Sequence, residues 1–168
     1  RTGNRESTLL VFTDGSKARI GPRAQFTLEE ASSSKISLFM SLGKLECWVT
    51  KLASRSFQAR SSAAVAAVRG TVFSFNVLSP KKTIIDLFSG SLAINDTFGR
   101  SLQMNPGQRV EASLIGLSKP APLPPAAAET PQEPAVDSDQ DAQLKPAPPP
   151  QEDEIQELPG VIAFGQLR

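Results

Sequence analysis

Apolar and polar residues alternate along the first two thirds of the chain, in short runs separated by glycine, proline and polar residues. The longest run covers residues 63–77. Its first half is small and apolar, and in its second half Phe73, Phe75 and Val77 share one face. A period of two is typical of a strand with one buried face. About ten short runs occur, with a turn signal roughly every 8–12 residues. The pattern predicts an all-β domain, built as a sandwich, a jelly roll or a β-solenoid.

Two turns between these runs have a specific chemistry. Asp14 and Gly15 separate two short apolar runs, and this pair favours a type I′ hairpin, in which both central residues need positive φ. Pro106 and Gly107 occupy the second and third positions of a predicted type II turn. The hairpin explains Asp14 structurally, so we do not expect this carboxylate to act as an acid or base.

Glycines also interrupt the apolar pattern. Gly43 and Gly90 are interpreted as breaks between consecutive short strands. Arg69-Gly70-Thr71 lies inside the longest run, where a glycine indicates a β-bulge or a close backbone approach. We expect the Arg69 guanidinium to be paired, because an unpaired buried charge is costly.

Arg69 has two interpretations. It contacts an anionic ligand, or it is a structural residue that pairs with a carboxylate such as Asp86 or Glu46 and fixes the strand register. The second is favoured, because no further site residues surround this single arginine in the sequence. Asp86 is accordingly expected to be structural rather than an acid–base catalyst.

Charge and proline content divide the 168 residues into different segments. Residues 1–116 hold 15 basic and 8 acidic residues and 3 prolines, whereas residues 117–168 hold 3 basic, 9 acidic and 11 prolines. Proline favours extended backbone, and few large apolar residues are present to offset the entropy of ordering. We therefore predict a domain over 1–116 and a proline-rich, acidic, disordered linker over 117–154.

Apolar residues return in a short C-terminal segment, 155–168. This segment is too short to fold alone. One interpretation is a linear segment that adds to a neighbouring subunit or partner; the other is a disordered stub or the start of a further domain. The candidate partner-binding residues are Ile155, Leu158, Val161, Ile162, Phe164 and Leu167.

The composition argues against most catalytic chemistry. The chain has no histidine and one cysteine, and it contains no nucleophile elbow, Walker or dinucleotide motif. We expect no enzyme activity, no metal and no cofactor.

The basic residues of 1–116 are scattered with few aromatic residues among them, so nucleic-acid binding is not expected. They form a solvated face or a surface for the acidic tail. No apolar run reaches the roughly 20 residues of a membrane helix.

Several motifs together resemble a known family. The small-residue run with Val-Arg-Gly-Thr at its centre is flanked in order by Asp-Gly-Ser and Gly-Pro turns, a Ser-Gly-Ser turn and an Asn-Pro-Gly-Gln turn. The chain resembles a FecR-type domain over about residues 2–112, through residues 10–16, 20–22, 57–60, 63–73, 86–92 and 105–108.

The resemblance implies an all-β extracytoplasmic module of a bacterial envelope protein, with the first one or two strands of the family upstream of Arg1. It implies a periplasmic location and a protein partner or self-assembly. We therefore predict a non-enzymatic protein-interaction module whose proline-rich arm contacts a partner. The alternatives are a structural subunit of a periplasmic assembly and a sensor domain that relays a signal to a membrane regulator.

Overall fold

The computed structural model of the chain describes residues 1–51, 56–135 and 161–167, the last range by its backbone alone. The all-β prediction is confirmed, since the one helical element in these ranges is a single 3-10 turn, Pro125–Ala127. The strands are β1 (Ser7–Phe12), β2 (Lys17–Ile20), β3 (Gln25–Ala31), β4 (Lys35–Val49), β5 (Ser56–Arg60), β6 (Ala64–Ser79), β7 (Lys82–Asp96), β8 (Ser101–Met104), β9 (Gln108–Ser113), β10 (Gly116–Leu117), β11 (Ala121–Pro122) and β12 (Val161–Leu167).

Three long strands fold the sheet onto itself. β4, β6 and β7 have 15, 16 and 15 residues, and the two halves of each belong to different layers. Layer A has the order β3, first half of β4, β5, first half of β6, second half of β7, β8. Layer B has the order β12, β1, β2, second half of β4, second half of β6, first half of β7, β9, β10. This arrangement corresponds to a sandwich, one of the three architectures predicted from the sequence.

The inward-facing positions change parity at the corners of the long strands. In β6 the even-numbered residues from Ala64 to Val68 are buried, and beyond the bulge the odd-numbered residues from Thr71 to Val77 are buried. Gly90 in β7 lies against this corner with φ of 84°, and a Cβ there would stand 2.2 Å from the Gly70 carbonyl oxygen. The expectation of a bulge or close approach at Gly70 is confirmed.

Two predicted strand breaks are wrong. Gly43 and Gly90 lie inside continuous strands, β4 and β7, rather than between separate ones. Both have positive φ, which turns the backbone while the ladders continue on each side. These two glycines therefore lie at the corners where β4 and β7 pass from one layer to the other.

Aromatic rings join the two layers in the core. Phe57 of layer A packs edge to face against Phe12 and Phe73 of layer B, with ring centroids 6.0 and 6.3 Å apart. Such pairs contribute about 0.5–1.5 kcal/mol beyond the area that they bury. The alternating apolar residues predicted from the sequence thus form one core.

The β1–β2 hairpin is confirmed, but its predicted turn type is wrong. Arg23 is the only non-glycine residue with positive φ in the described part of the chain, so Asp14 does not have the conformation that type I′ requires. Instead the Gly15 amide donates to the Phe12 carbonyl at 2.9 Å, Gly15 has φ of 80°, and the Ser16 amide donates to Asp14 Oδ1 at 2.9 Å. This is a longer loop in which one glycine takes the left-handed conformation. Gly107 has φ of 80°, as the predicted type II turn requires.

Candidate interaction sites

A row of charged side chains crosses the outer face of layer B. Arg19, Glu46, Ser74, Asp86 and Arg109 stand opposite one another on five adjacent strands, β2, β4, β6, β7 and β9. Arg109 Nε and Nη2 donate to the two Asp86 oxygens at 2.5 and 2.8 Å, and Ser74 Oγ donates to Asp86 Oδ2 at 3.3 Å. At the other end Arg19 binds Glu46 through Nε, at 2.8 Å, and through Nη2. The row therefore contains two ion pairs, with Ser74 between them on the sheet and hydrogen-bonded to Asp86.

Hydrogen bonds in the row shift the pKa of two of its members, Glu46 and Arg109. Burial acts to raise the pKa of Glu46, but hydrogen bonds from Lys44 and Arg19 outweigh it and hold that pKa below its ordinary value. The hydrogen bond to Asp86 raises the pKa of Arg109. These groups therefore stay ionised near neutral pH.

The start of the proline-rich segment covers part of this face. After β11, which pairs with β9, the chain runs back across layer B and encloses a groove of about 930 Å³ above the charged row. Trp48 Nε1 donates to the Pro131 carbonyl at 3.1 Å, and Lys17 Nζ lies 3.1 Å from the Pro134 carbonyl and 2.8 Å from Glu133 Oε1. From here on, the arm means residues 127–134, the part of the proline-rich segment that crosses layer B. These contacts join the basic domain to the start of its acidic segment, and a wider docking surface for that segment stays a prediction.

A second interaction site is the edge of layer B. β12 pairs antiparallel with β1, from Ser7 opposite Leu167 to Phe12 opposite Val161, with one irregularity near Val11. Without β12, this side of β1 would present a row of unpaired backbone groups. The C-terminal segment thus completes the sheet of its own chain.

The predicted partners of Arg69 are wrong. Arg69 is exposed at the β6 corner, Asp86 binds Arg109, and Glu46 binds Arg19 and Lys44. Arg69 follows the inward-facing Val68 and therefore lies on the outer side of layer A, whereas Asp86 and Glu46 lie on the outer face of layer B. Thr71 is buried and donates from Oγ1 to the Ser91 carbonyl at 3.1 Å, which ties the two corners together.

The remaining predicted site residues fall into three places. Asp14, Gly15, Pro106 and Gly107 lie in turns, and Gly70 and Gly90 meet at the corner of β6 and β7. Val161, Ile162, Phe164 and Leu167 lie on β12. Ile155 and Leu158 lie outside the described residues, as does the linker beyond residue 135. The division of the chain at residue 116 stays a prediction.

The site formed by Trp48 and Lys17 was not predicted from the sequence. Both face away from the core, and they stand opposite each other on β4 and β2. Two signals were present: an aromatic residue on the outer side of a strand, and a Pro-x-x-Pro sequence at residues 131–134. Neither signal alone shows that the two segments meet.

Membrane-spanning helices and metal-binding clusters are both absent from the described ranges. No helix there has the length and hydropathy to cross a bilayer. No group of three or more histidine, cysteine and acidic side chains within those ranges is placed to hold a metal ion.

Comparison with known proteins assigns the family. The family model described as "FecR protein" matches residues 1–93, more than half of the chain, so the chain belongs to the FecR protein family. No curated protein matches it. Two crystal structures of a "putative anti-sigma factor" from Parabacteroides distasonis are similar in fold, each at 14% identity, with TM-scores of 0.59 and 0.58. The alignments cover 70% of this chain and 56% of each structure, so this chain spans little more than half of their length.

Proposed function

We propose that this chain is a non-enzymatic protein-interaction module of the bacterial cell envelope, which binds extended segments by strand addition at β1. One observation carries the proposal: the edge of β1 is already paired with a separate segment, β12, along its whole length. Main-chain hydrogen bonds supply most of the affinity in this mode of recognition. The same edge serves a segment of a partner or of a neighbouring copy.

The chemistry of the outer face supports a binding role rather than a catalytic one. Its central carboxylates, Glu46 and Asp86, are each held by an arginine. A general acid or base needs a pKa near the working pH, and the lowered pKa of Glu46 moves away from it. Membership of the FecR family supports the envelope location.

The test frees the β1 edge from β12 in the full-length chain. Ala163 pairs with Val11 in the middle of the β1–β12 ladder. Ala163→Pro removes a backbone donor there, whereas Ala163→Thr keeps the donor and favours strands. A peptide of residues 161–168 should bind the proline variant and should not bind the wild type or the threonine variant, measured by calorimetry. Equal binding to all three chains, or binding to none, would overturn the proposal.

Sizing of the same three chains separates an interaction module from a subunit of an assembly. If β12 adds in cis, the wild type should elute as a monomer at all concentrations. A symmetric oligomer that the proline variant loses would instead assign β12 to a neighbouring copy, and the chain to a structural role.

A second candidate function is a regulatory domain that relays a signal. The similarity in fold to the "putative anti-sigma factor" structures favours it. In the source organism, chromosomal Ala163→Pro should then change the transcription of a discrete set of genes, with Ala163→Thr as the control. Unchanged transcript levels in a strain that makes the full protein would exclude this second role.

A further inference from the structure

The contact between the arm and layer B has the features of a recognition site for proline-rich peptide. Trp48 on β4 and Lys17 on β2 form a cross-strand pair, and both donate to the backbone of one short segment, Pro131-Gln132-Glu133-Pro134. The two accepting carbonyls are three residues apart. A polyproline II helix has three residues per turn, so carbonyls three apart point to the same side.

The protein side of the contact is built in advance. The Arg19 guanidinium lies 5.4 Å from the centroid of the Trp48 ring and is itself held by Glu46. The Trp48 and Arg19 side chains project from paired strands rather than from loops. The tryptophan therefore presents its N–H from a fixed position, which lowers the entropic cost of binding.

Burial shows that the arm fills the site. Trp48 is 7% exposed although it points away from the core, and its indole N–H has the Pro131 carbonyl as acceptor. A buried indole N–H without a partner would be costly. The Lys17 side chain is 17% exposed, and its ion pair adds a preference for an acidic residue between the two prolines.

We propose that Trp48, Lys17 and Arg19 form a binding site for extended Pro-x-Glu-Pro segments of another polypeptide, and that the arm is a built-in competitor for this site. The site lies on the outer face of layer B and does not depend on strand addition at β1. A tethered segment acts at an effective concentration on the order of millimolar. An external ligand therefore binds weakly until the arm is released, so the arm sets the threshold for binding.

Trp48 is the single tryptophan of the chain, so its fluorescence reports this site directly in the full-length protein. The arm is released by the double variant Pro131→Gly/Pro134→Gly, which abolishes the conformational preference for an extended segment. Relative to the wild type, its emission should shift to the red and its quenching by acrylamide should at least double. Glu129→Gln, a charge change on an exposed arm residue, is the matched control and should resemble the wild type.

Binding in trans is measured with a fluorescein-labelled peptide, Thr-Pro-Gln-Glu-Pro-Ala, by anisotropy. Its dissociation constant should be at least tenfold lower for the double variant than for the wild type. Adding Lys17→Gln or Trp48→Phe to the double variant should weaken binding at least tenfold. A peptide with both prolines replaced by glycine should bind at least tenfold more weakly.

The proposal is overturned if the labelled peptide binds the wild type and the double variant equally, or binds neither. It is also overturned if the glycine peptide binds as well as the proline peptide, because the contact is then a general attraction between acidic and basic chains. Circular dichroism of each variant checks the fold. If Trp48→Phe unfolds the chain, the Lys17→Gln result decides.

Discussion

The corner between β6 and β7 gives the sharpest test of the fold. Gly90 has φ of 84°, and a Cβ there would stand 2.2 Å from the Gly70 carbonyl oxygen and 3.0 Å from Thr71 Cα. Gly90→Ala therefore meets two costs. Left-handed φ on a residue with a Cβ costs about 1–2 kcal/mol, and a clash with backbone that must shift costs about 1–3 kcal/mol more. We expect a loss of about 3 kcal/mol, a large part of a typical stability of 5–15 kcal/mol.

Gly99→Ala separates the two costs. Gly99 has φ of 80°, close to that of Gly90, but a Cβ there would have no atom within 4 Å. This control should lose only the conformational part, about 1 kcal/mol. Both are measured by urea unfolding followed through Trp48 fluorescence. A difference between the two variants of less than about 0.5 kcal/mol, the scatter expected of surface substitutions, would refute the close approach at this corner.

Three further predictions concern charge and burial in layer B. The pKa of Glu46 is lower in the folded chain than in the unfolded one, so its contribution to stability is present above the unfolded value of about 4.3 and is lost as the pH falls through the folded pKa. The stability difference between wild type and Glu46→Gln should therefore shrink in urea titrations below that pH, and a constant difference would contradict the ion pair. Asp86→Ala leaves Arg109 without its carboxylate and should lower the free energy of unfolding by about 2–3 kcal/mol. The control Glu111→Ala breaks an exposed pair with Lys82 and should lower it by less than about 0.5 kcal/mol, and similar losses would contradict a structural role for the Asp86–Arg109 pair. Burial raises the pKa of the Cys47 thiol, so iodoacetamide at pH 8 should modify it only in urea, and labelling of the folded chain would show that layer B opens.

Alternation was sufficient to predict the fold class, because each strand has one face against the core. It was not sufficient for continuity. A glycine that bends a continuous strand and a glycine that ends a strand look the same in the sequence. Gly43 and Gly90 were therefore interpreted as strand ends, although the ladders continue past them. Alternation counted back from Phe73 placed Arg69 on the core side. This was wrong, because the bulge between Arg69 and Val72 reverses which side of β6 faces the core.

The interaction sites depend on contacts between distant parts of the chain. Trp48 and Pro131 are 83 residues apart, and nothing in either neighbourhood specifies the other. The charge division between the two parts of the chain left open a solvated face or a surface for the acidic segment, and the ion pair of Lys17 with Glu133 is one contact of the second kind. The return of apolar residues near the C-terminus indicated a segment able to add to a sheet, but not that the receiving strand was β1 of the same chain.

Hydrogen exchange of the β1 amides tests the occupied sheet edge most directly. The Phe12 amide donates to the Ser16 carbonyl on the β2 side, so alternation turns the Thr8 and Leu10 amides toward β2 and the Leu9 and Val11 amides toward β12. In the full wild-type chain both sets should be protected to a similar degree. Exchange of the Leu9 and Val11 amides at the rate of unprotected loops, with Thr8 and Leu10 still protected, would contradict the pairing of β1 with β12.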